Sequence, residues 1–321
     1  MILSTDILAS ILDNEFKTQV YKVENLEDHI TNFIKNQYKD TTKNTYKYGL
    51  SKFYKYIKNT DVIELRQDNI TNIVRDYRSY LTENTSLKSG SIDSYITQLK
   101  SFLNQYLNLN PKKLRKLDYT KKEPKYIELE EVQGLINTVQ YITGNPEQIA
   151  RDKAIICTLF TGGLRISELL NIKLEDYYTR DGTSFLMIIG KGRALDSPES
   201  IVIPPQTVSL INDYLKQRRD HNRTCKYLFC SLSDKQLTRQ TVNKEIKKIA
   251  HEYDKLNNTN IAPRVSTHTF RHSLARYCLV TQGLPINQVK DILRHSNIET
   301  TAKYLTTSQE EITEIRKGLV F

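Results

Sequence analysis

Six side chains in this sequence, Arg165, Lys191, His268, Arg271, His295 and Tyr304, hold the groups needed to cut a phosphodiester by attack of a phenol. Two guanidiniums can clamp the non-bridging oxygens of a phosphate and two imidazoles can donate further hydrogen bonds. The ammonium can protonate the departing alcohol oxygen while the phenol attacks phosphorus. This chemistry calls for no metal and no cofactor. A phenol with an ordinary pKa of about 10 is a weak nucleophile at neutral pH, so it needs cationic surroundings that favour its anion. The other five groups supply them.

Local spacing sharpens the reading. Arg165 follows the Gly162-Gly163 pair and stands three residues before Glu168, so on a helix the two share a face. Read by itself, that spacing gives a surface ion pair of little energetic value. His268 and Arg271 are also three apart and can reach one phosphate from one helical face. His268 and His272 have the i, i+4 spacing of zinc ligands, but position 269 is Thr where a metalloprotease helix carries Glu, and no third ligand is evident. Lys191 lies between Gly190 and Gly192, at the tip or shoulder of a hairpin. A phosphate-binding Walker loop is excluded, because Phe185 stands where a Gly is needed and Gly192 replaces the Ser or Thr after the lysine. Arg193 is the neighbouring rival for the proton-donor role, with a pKa ill suited to donation.

Three stretches carry these residues: TGGLRISELLNIKLEDY at 161–177, HTFRHSLARY at 268–277 and LRHSNIETTAKYL at 293–305. Their order and wording resemble the tyrosine recombinase, or phage integrase, family. The resemblance is close over the second half of the chain and looser from about residue 24 to 112. It implies that Arg165, Arg271, His268 and His295 hold the scissile phosphate, that Lys191 is the general acid and that Tyr304 is the nucleophile. It further implies that Glu168 is a buried carboxylate orienting the arginines or His272, with His272 itself structural. Three positions depart from the family pattern: Phe270 for the usual Leu, Arg294 for the usual Gly, and Thr306 where many members have His. Of these, Arg294 is the least expected. Beside His295, a long cation in place of glycine alters the local backbone or adds a phosphate contact.

The surrounding pattern predicts a mainly α fold with a small β-sheet. Four helices are expected between Glu24 and Leu107. One has Tyr46, Leu50, Phe53 and Ile57 at helical spacing, and the last carries a broad stripe of Ile92, Tyr95, Ile96, Leu99, Phe102, Leu103 and Tyr106. The stretch 110–125 has seven basic residues, Lys112, Lys113, Arg115, Lys116, Lys121, Lys122 and Lys125, against Asp118 and Glu123. It reads as a basic interdomain linker lying along phosphates, with a solvated linker as the alternative. Beyond it, 184–189 and 200–204 are β-rich islands after an Asp181-Gly182 turn signal, in an otherwise helical domain. The expected organisation is an extension over 1–23 with a short helix, a helical core-binding domain over 24–109, the linker over 110–125, a catalytic domain over 126–304 and a tail over 305–321. In the tail, Ser308 and Glu311 form a capping-box pattern, and the apolar residues that follow are expected to dock on a neighbouring protomer, or else on the same chain.

The net charge of +10 favours a polyanionic partner. No apolar run approaches the roughly 18 residues that span a bilayer, and the N-terminus lacks the marks of a secretory signal. The four cysteines are scattered without metal-ligand spacing, as expected of reduced thiols in a cytoplasm. Lys43 and Lys47 are read either as solvated or as DNA-backbone contacts. The helix expected over 237–254 carries Arg239, Gln240, Asn243 and Lys244, types suited to phosphate and base-edge contacts. By resemblance, the expected function is site-specific DNA recombination through a 3′-phosphotyrosyl bond and a Holliday junction. The same resemblance implies a DNA clamp of two domains, a homo-tetramer on double-stranded DNA with inverted-repeat core sites, and accessory DNA-bending proteins as optional partners. Two alternatives remain: a type IB topoisomerase or telomere resolvase, and a DNA-binding protein with a degenerate site.

Overall fold

The computed structural model describes residues 19–36, 40–115, 117, 125–189, 198–295 and 297–302. The expectations for the N-terminal helix, Lys116, Lys121, Lys122, Lys191, Arg193, Tyr304 and the tail lie outside these residues. The chain divides into two compact units, Met1–Lys121 and Lys122–Phe321.

In the first unit the described helices are α1 (Leu26–Lys35), α2 (Asp40–Ile57), α3 (Ile70–Asn84) and α4 (Ser89–Gln105). Apolar residues recurring every three or four positions give each helix one buried face. Leu50, Phe53 and Ile57 of α2 meet Leu99, Phe102 and Leu103 of α4 in one core. Tyr46 and Tyr106, both expected on those stripes, sit at the edge of this core, and the Tyr46 hydroxyl donates to Ser101 Oγ at 2.9 Å. Gly49 marks a close approach between helices: a Cβ there would fall 1.9 Å from Gln98 Oε1. A two-residue antiparallel pair, β1 (Tyr21–Lys22) with β2 (Glu64–Leu65), ties the chain before α1 to the loop before α3. Periodicity is blind to a ladder this short.

The second unit is built around α6 (Pro146–Thr161), a helix buried on nearly every side through Ala154, Ile155, Ile156, Cys157, Leu159 and Phe160. Its start is set by Asn145, whose side-chain oxygen accepts the Gln148 N–H at 2.9 Å, and by Pro146 in the first turn. Around it lie α5 (Leu129–Thr138), α7 (Ile166–Asn171), α8 (Pro205–Asp220), α9 (Arg239–Asn257), α10 (Thr267–Arg276), α11 (Ile286–Ile292) and α12 (Glu299–Ala302).

An antiparallel sheet runs in the order β3 (Tyr177–Arg180), β4 (Thr183–Ile188), β5 (Glu199–Val202). The first strand is additional to the two β-rich islands read from sequence. It pairs with β4 through the Asp181-Gly182 turn, whose φ angles of 51° and 75° are those of the tight hairpin turn that matches strand twist. The 190–197 stretch joins β4 to β5 and lies outside the described residues.

The turn that ends α6 positions everything downstream. Gly162 caps the helix and Gly163 takes a left-handed φ of 54°. A Cβ on Gly163 would meet Leu274 Cδ2 at 2.9 Å and Leu293 Cδ2 at 3.1 Å. Gly163→Ala therefore combines backbone strain with a steric conflict against two core leucines, and is expected to lower stability by about 1–3 kcal/mol. Denaturant midpoints for the wild type and variant test this, and an unchanged midpoint contradicts it.

Candidate active site

Arg165 is the N-cap of α7, in an extended conformation, rather than a residue of the helix itself. The i, i+3 relation to Glu168 survives as a capping box: Glu168 Oε2 accepts the Arg165 backbone N–H at 2.9 Å, and Oε1 accepts from Arg165 Nη1 at 2.7 Å. Glu168 is buried, with 2% of its side chain exposed, whereas the Arg165 side chain remains 30% exposed. Burial alone would raise the Glu168 pKa. The two hydrogen bonds from Arg165, with the charges of Arg294 and Arg165, reverse that and hold it below the usual carboxylate range. A sequence-adjacent pair that reads as a surface ion pair is thus a buried anion with an open cation above it.

His268 and Arg271 lie on α10. Its start is a second capping box, in which Ser266 N–H donates to Thr269 Oγ1 at 3.0 Å. Thr269, the residue that spoils a zinc-helix reading, therefore helps form the helix bearing both groups. The His268 and His272 rings meet edge to face at 4.3 Å between centroids, and no cluster of three His, Cys, Asp or Glu side chains suited to a metal is found among the described residues.

Arg271 is completely buried. Its Nη1 donates to the Gly163 carbonyl at 2.5 Å and its Nη2 to the Leu293 carbonyl, so it clips the α6–α7 turn to the end of α11. The expectation of two open phosphate clamps is met differently by the two arginines: Arg165 reaches solvent, and Arg271 is turned inward.

His295 is buried, and its Nδ1 lies 2.8 Å from Thr301 Oγ1, itself fully buried at the end of the chain segment leading towards Tyr304. Loss of hydration and the neighbouring charges of Arg271, Arg165, His268 and Arg294 push its pKa down to about 4. His268 reaches solvent, yet partial desolvation together with Arg271 and Arg165 lowers its pKa as well. Both imidazoles are therefore neutral at neutral pH. Each keeps one N–H to donate and one nitrogen to accept.

Arg294 has a left-handed φ of 57°, while the other five non-glycine residues with positive φ among those described are all Asn or Asp. Its guanidinium turns inward to the Gly162 and Gly163 carbonyls and to Glu168. Sequence reasoning singled out this position without resolving its contacts. Thr301 was missed, and its only signal was the Thr300-Thr301 pair before Tyr304.

The described part of the site thus brings together Arg165, Glu168, His268, Arg271, Arg294 and His295 from separate segments. Of the other polar residues considered, Arg239, Gln240 and Lys244 are exposed on α9, whereas Asn243 is half-buried and accepts the Thr267 N–H at 3.3 Å. In the first unit, Lys47 is exposed and Lys43 half-buried. Lys112, Lys113 and Arg115 are exposed in a strand of chain anchored by Lys112 N–H to Thr71 Oγ1 and by Arg78 to the Arg115 carbonyl.

The phage integrase family pattern matches residues 125–311. Along the whole sequence, the chain is 26% identical to the tyrosine recombinase XerC of Leptospira interrogans, over 94% of this chain and 96% of the relative. It is 31% identical to the tyrosine recombinase XerD of Rickettsia bellii over 81% of this chain and 86% of the relative. Among solved structures, XerH bound to a difH substrate shares the fold with a TM-score of 0.65 at 20% identity, covering 87% of this chain and 80% of that one. The Tn1549 transposon integrase in complex with transposon right-end DNA gives a TM-score of 0.68 at 14% identity, covering 93% and 99%. With a family match over more than half its length and a relative of that identity and coverage, this chain belongs to the phage integrase family of tyrosine recombinases.

Proposed function

We propose that this protein is a site-specific DNA recombinase in which Tyr304 is the nucleophile. The observation that carries the reading is the convergence of Arg165, His268, Arg271 and His295, drawn from three separate segments, at the root of the segment that leads to Tyr304. The phenolic oxygen bonds to the scissile phosphorus as the bond to the 5′ oxygen breaks. The phenol proton passes to a neutral imidazole, of which His268 is the more open, and Lys191 protonates the leaving 5′ oxygen. Arg165 and the imidazoles stabilise the charge on phosphorus. The 3′-phosphotyrosyl ester conserves the energy of the broken bond, so the 5′ hydroxyl of a second strand reverses the attack without ATP. A homo-tetramer holding two inverted-repeat core sites through a Holliday junction accounts for paired exchanges, with DNA-bending proteins as optional helpers. We assign the protein to a bacterial cytoplasm, with the nucleoid, where such a substrate is met.

Lys43, Lys47, Lys112, Lys113 and Arg115 in the first unit, with Arg239, Gln240 and Lys244 on α9, are assigned to DNA contact. Asn243 joins them through its amide N–H groups, since its Oδ1 accepts the Thr267 N–H.

Tyr304→Phe should retain folding and DNA affinity and form no covalent adduct on a nicked suicide substrate carrying the inverted repeat. An adduct of undiminished yield removes Tyr304 from the mechanism. Relaxation of supercoils lacking any repeat marks a topoisomerase instead.

The two arginines should separate. Arg165→Ala slows cleavage by at least about 10²-fold, the scale of losing one charge-stabilising donor, and costs less stability than Arg271→Ala, because buried Glu168 keeps the backbone N–H of residue 165 and Arg294 as partners. Arg271→Ala also lowers the unfolding midpoint, because it removes the donor to the Leu293 carbonyl and leaves the Gly163 carbonyl with Arg294 alone of its two guanidinium donors. Equal effects of the two substitutions on stability contradict this division. Lys191→Ala should recover on a substrate with a 5′-bridging phosphorothiolate, whose sulfur leaves without a proton.

His295 should set part of the pH response. Its folded pKa of about 4 lies below the ordinary 6.5, so the unfolded chain takes its proton first. Its contribution to stability is complete above about pH 6.5 and is lost as pH falls towards 4. A phosphate arriving nearby favours the imidazolium, so DNA binding takes up protons within this window. Calorimetry in buffers of different ionisation enthalpy measures the uptake. His295→Gln should reduce it, and unchanged uptake in that variant excludes His295 as its source.

A further inference from the structure

Arg294 stands where the family pattern usually has glycine, on a backbone conformation that suits glycine and strains an arginine. A long cation at such a point has two uses, an outward contact with phosphate or an inward one with the protein. The structure separates them. Only 6% of the side chain is exposed. Nη2 faces the Gly162 and Gly163 carbonyls at 3.2 Å each and Glu168 Oε2 at 3.4 Å, and Nη1 donates to the Ile292 carbonyl at 3.1 Å. Glu168 in turn meets Arg165 through both of its oxygens. The two guanidiniums therefore take different oxygens of one carboxylate, Arg165 on Oε1 and Arg294 on Oε2.

Charge gives this arrangement its effect. With glycine at 294, Glu168 would offset Arg165 and leave the pair neutral. Arg294 shares the same carboxylate, so the group of three retains one net positive charge beside the imidazoles. Buried charges are screened little by solvent, so this one acts at short range on whatever anion Arg165 holds. Glu199, at the start of β5 and just beyond the stretch bearing Lys191, adds a second carboxylate whose charge acts on Arg294.

We propose that Arg294 is a positioning residue for strand cleavage: it fixes Glu168, and through Glu168 the guanidinium of Arg165, and supplies a buried positive charge beside that pair. The assignment rests on reading Arg165 as a phosphate ligand. It gives this chain an arginine-carboxylate-arginine unit in place of the arginine-carboxylate pair that a glycine at 294 would leave.

A double-mutant cycle on the full chain tests it, using Arg294→Gly, Glu168→Gln and their combination, with Arg294→Lys as the conservative variant. Three quantities are measured: the single-turnover rate of adduct formation on the nicked substrate, the affinity for the same DNA, and thermal unfolding without DNA. Arg294→Gly should cleave at least about tenfold more slowly with affinity within about threefold of wild type, the scale of a lost coupling within one hydrogen-bonded network. Arg294→Lys should recover part of the rate. The double variant should be no more than about threefold slower than Glu168→Gln, because the two residues act through one contact.

A wild-type rate in Arg294→Gly overturns the proposal. So does a loss of affinity that matches the loss of rate, which marks a direct phosphate contact, and so do effects that multiply in the double variant. Glycine suits the φ at 294, so this variant keeps a backbone that can fold. Thermal midpoints must be non-additive across the cycle, and additive midpoints overturn the link between Arg294 and Glu168 whether or not cleavage is observed. Absence of any adduct from the wild-type chain instead defeats the Tyr304 mechanism, so the two failures are distinguishable.

Discussion

The buried guanidinium of Arg271 is the constraint around which the second unit is arranged. A cation removed from water is tolerated only when its donors meet acceptors, and two of those acceptors are main-chain carbonyls, at Gly163 and at Leu293. Satisfying them forces the turn after α6 and the end of α11 to lie against α10. That convergence carries Arg165 with the turn, His268 with α10 and His295 with the end of α11. The convergence of the candidate site is therefore tied to where one buried charge finds its hydrogen bonds.

The same constraint sets the electrical character of the site. Bringing buried Arg271 near the unit in which Arg165 and Arg294 share one carboxylate leaves an excess of positive charge around the imidazoles. The response is visible in the groups free to lose a proton: His295 is driven to a pKa of about 4, and the His268 pKa also falls. In the proposed mechanism an arriving phosphate would relieve this repulsion.

Much of this was legible in the sequence. Helical spacing identified Leu50, Phe53, Ile57, Leu99 and Phe102 as core because a helix places every third or fourth residue on one face, and each of these is buried. The Asp181-Gly182 turn was readable because few residues accept positive φ at both central positions. Other features were not. Strand β3 is half-exposed and mixed in composition, so it becomes a strand through pairing with β4 rather than through its own pattern. Asn243 reads as a DNA-facing side chain on a polar helix, yet it holds the first N–H of α10, a contact that no wheel drawn for α9 alone contains.

By itself the sequence determined the chemistry available to this protein: the residue types, their order along the chain, and the long helices, which follow from local spacing and intrinsic side-chain properties. Only the tertiary structure decided how that chemistry is deployed. Arg271 donates to a carbonyl 108 residues away, Arg294 turns inward to a carboxylate 126 residues away, and Arg165 alone of the three arginines stays open to solvent. Two arginines of identical chemistry receive opposite roles because burial and hydrogen-bond partners are properties of the packed chain, and those partners are set by contacts between segments that no local periodicity encodes.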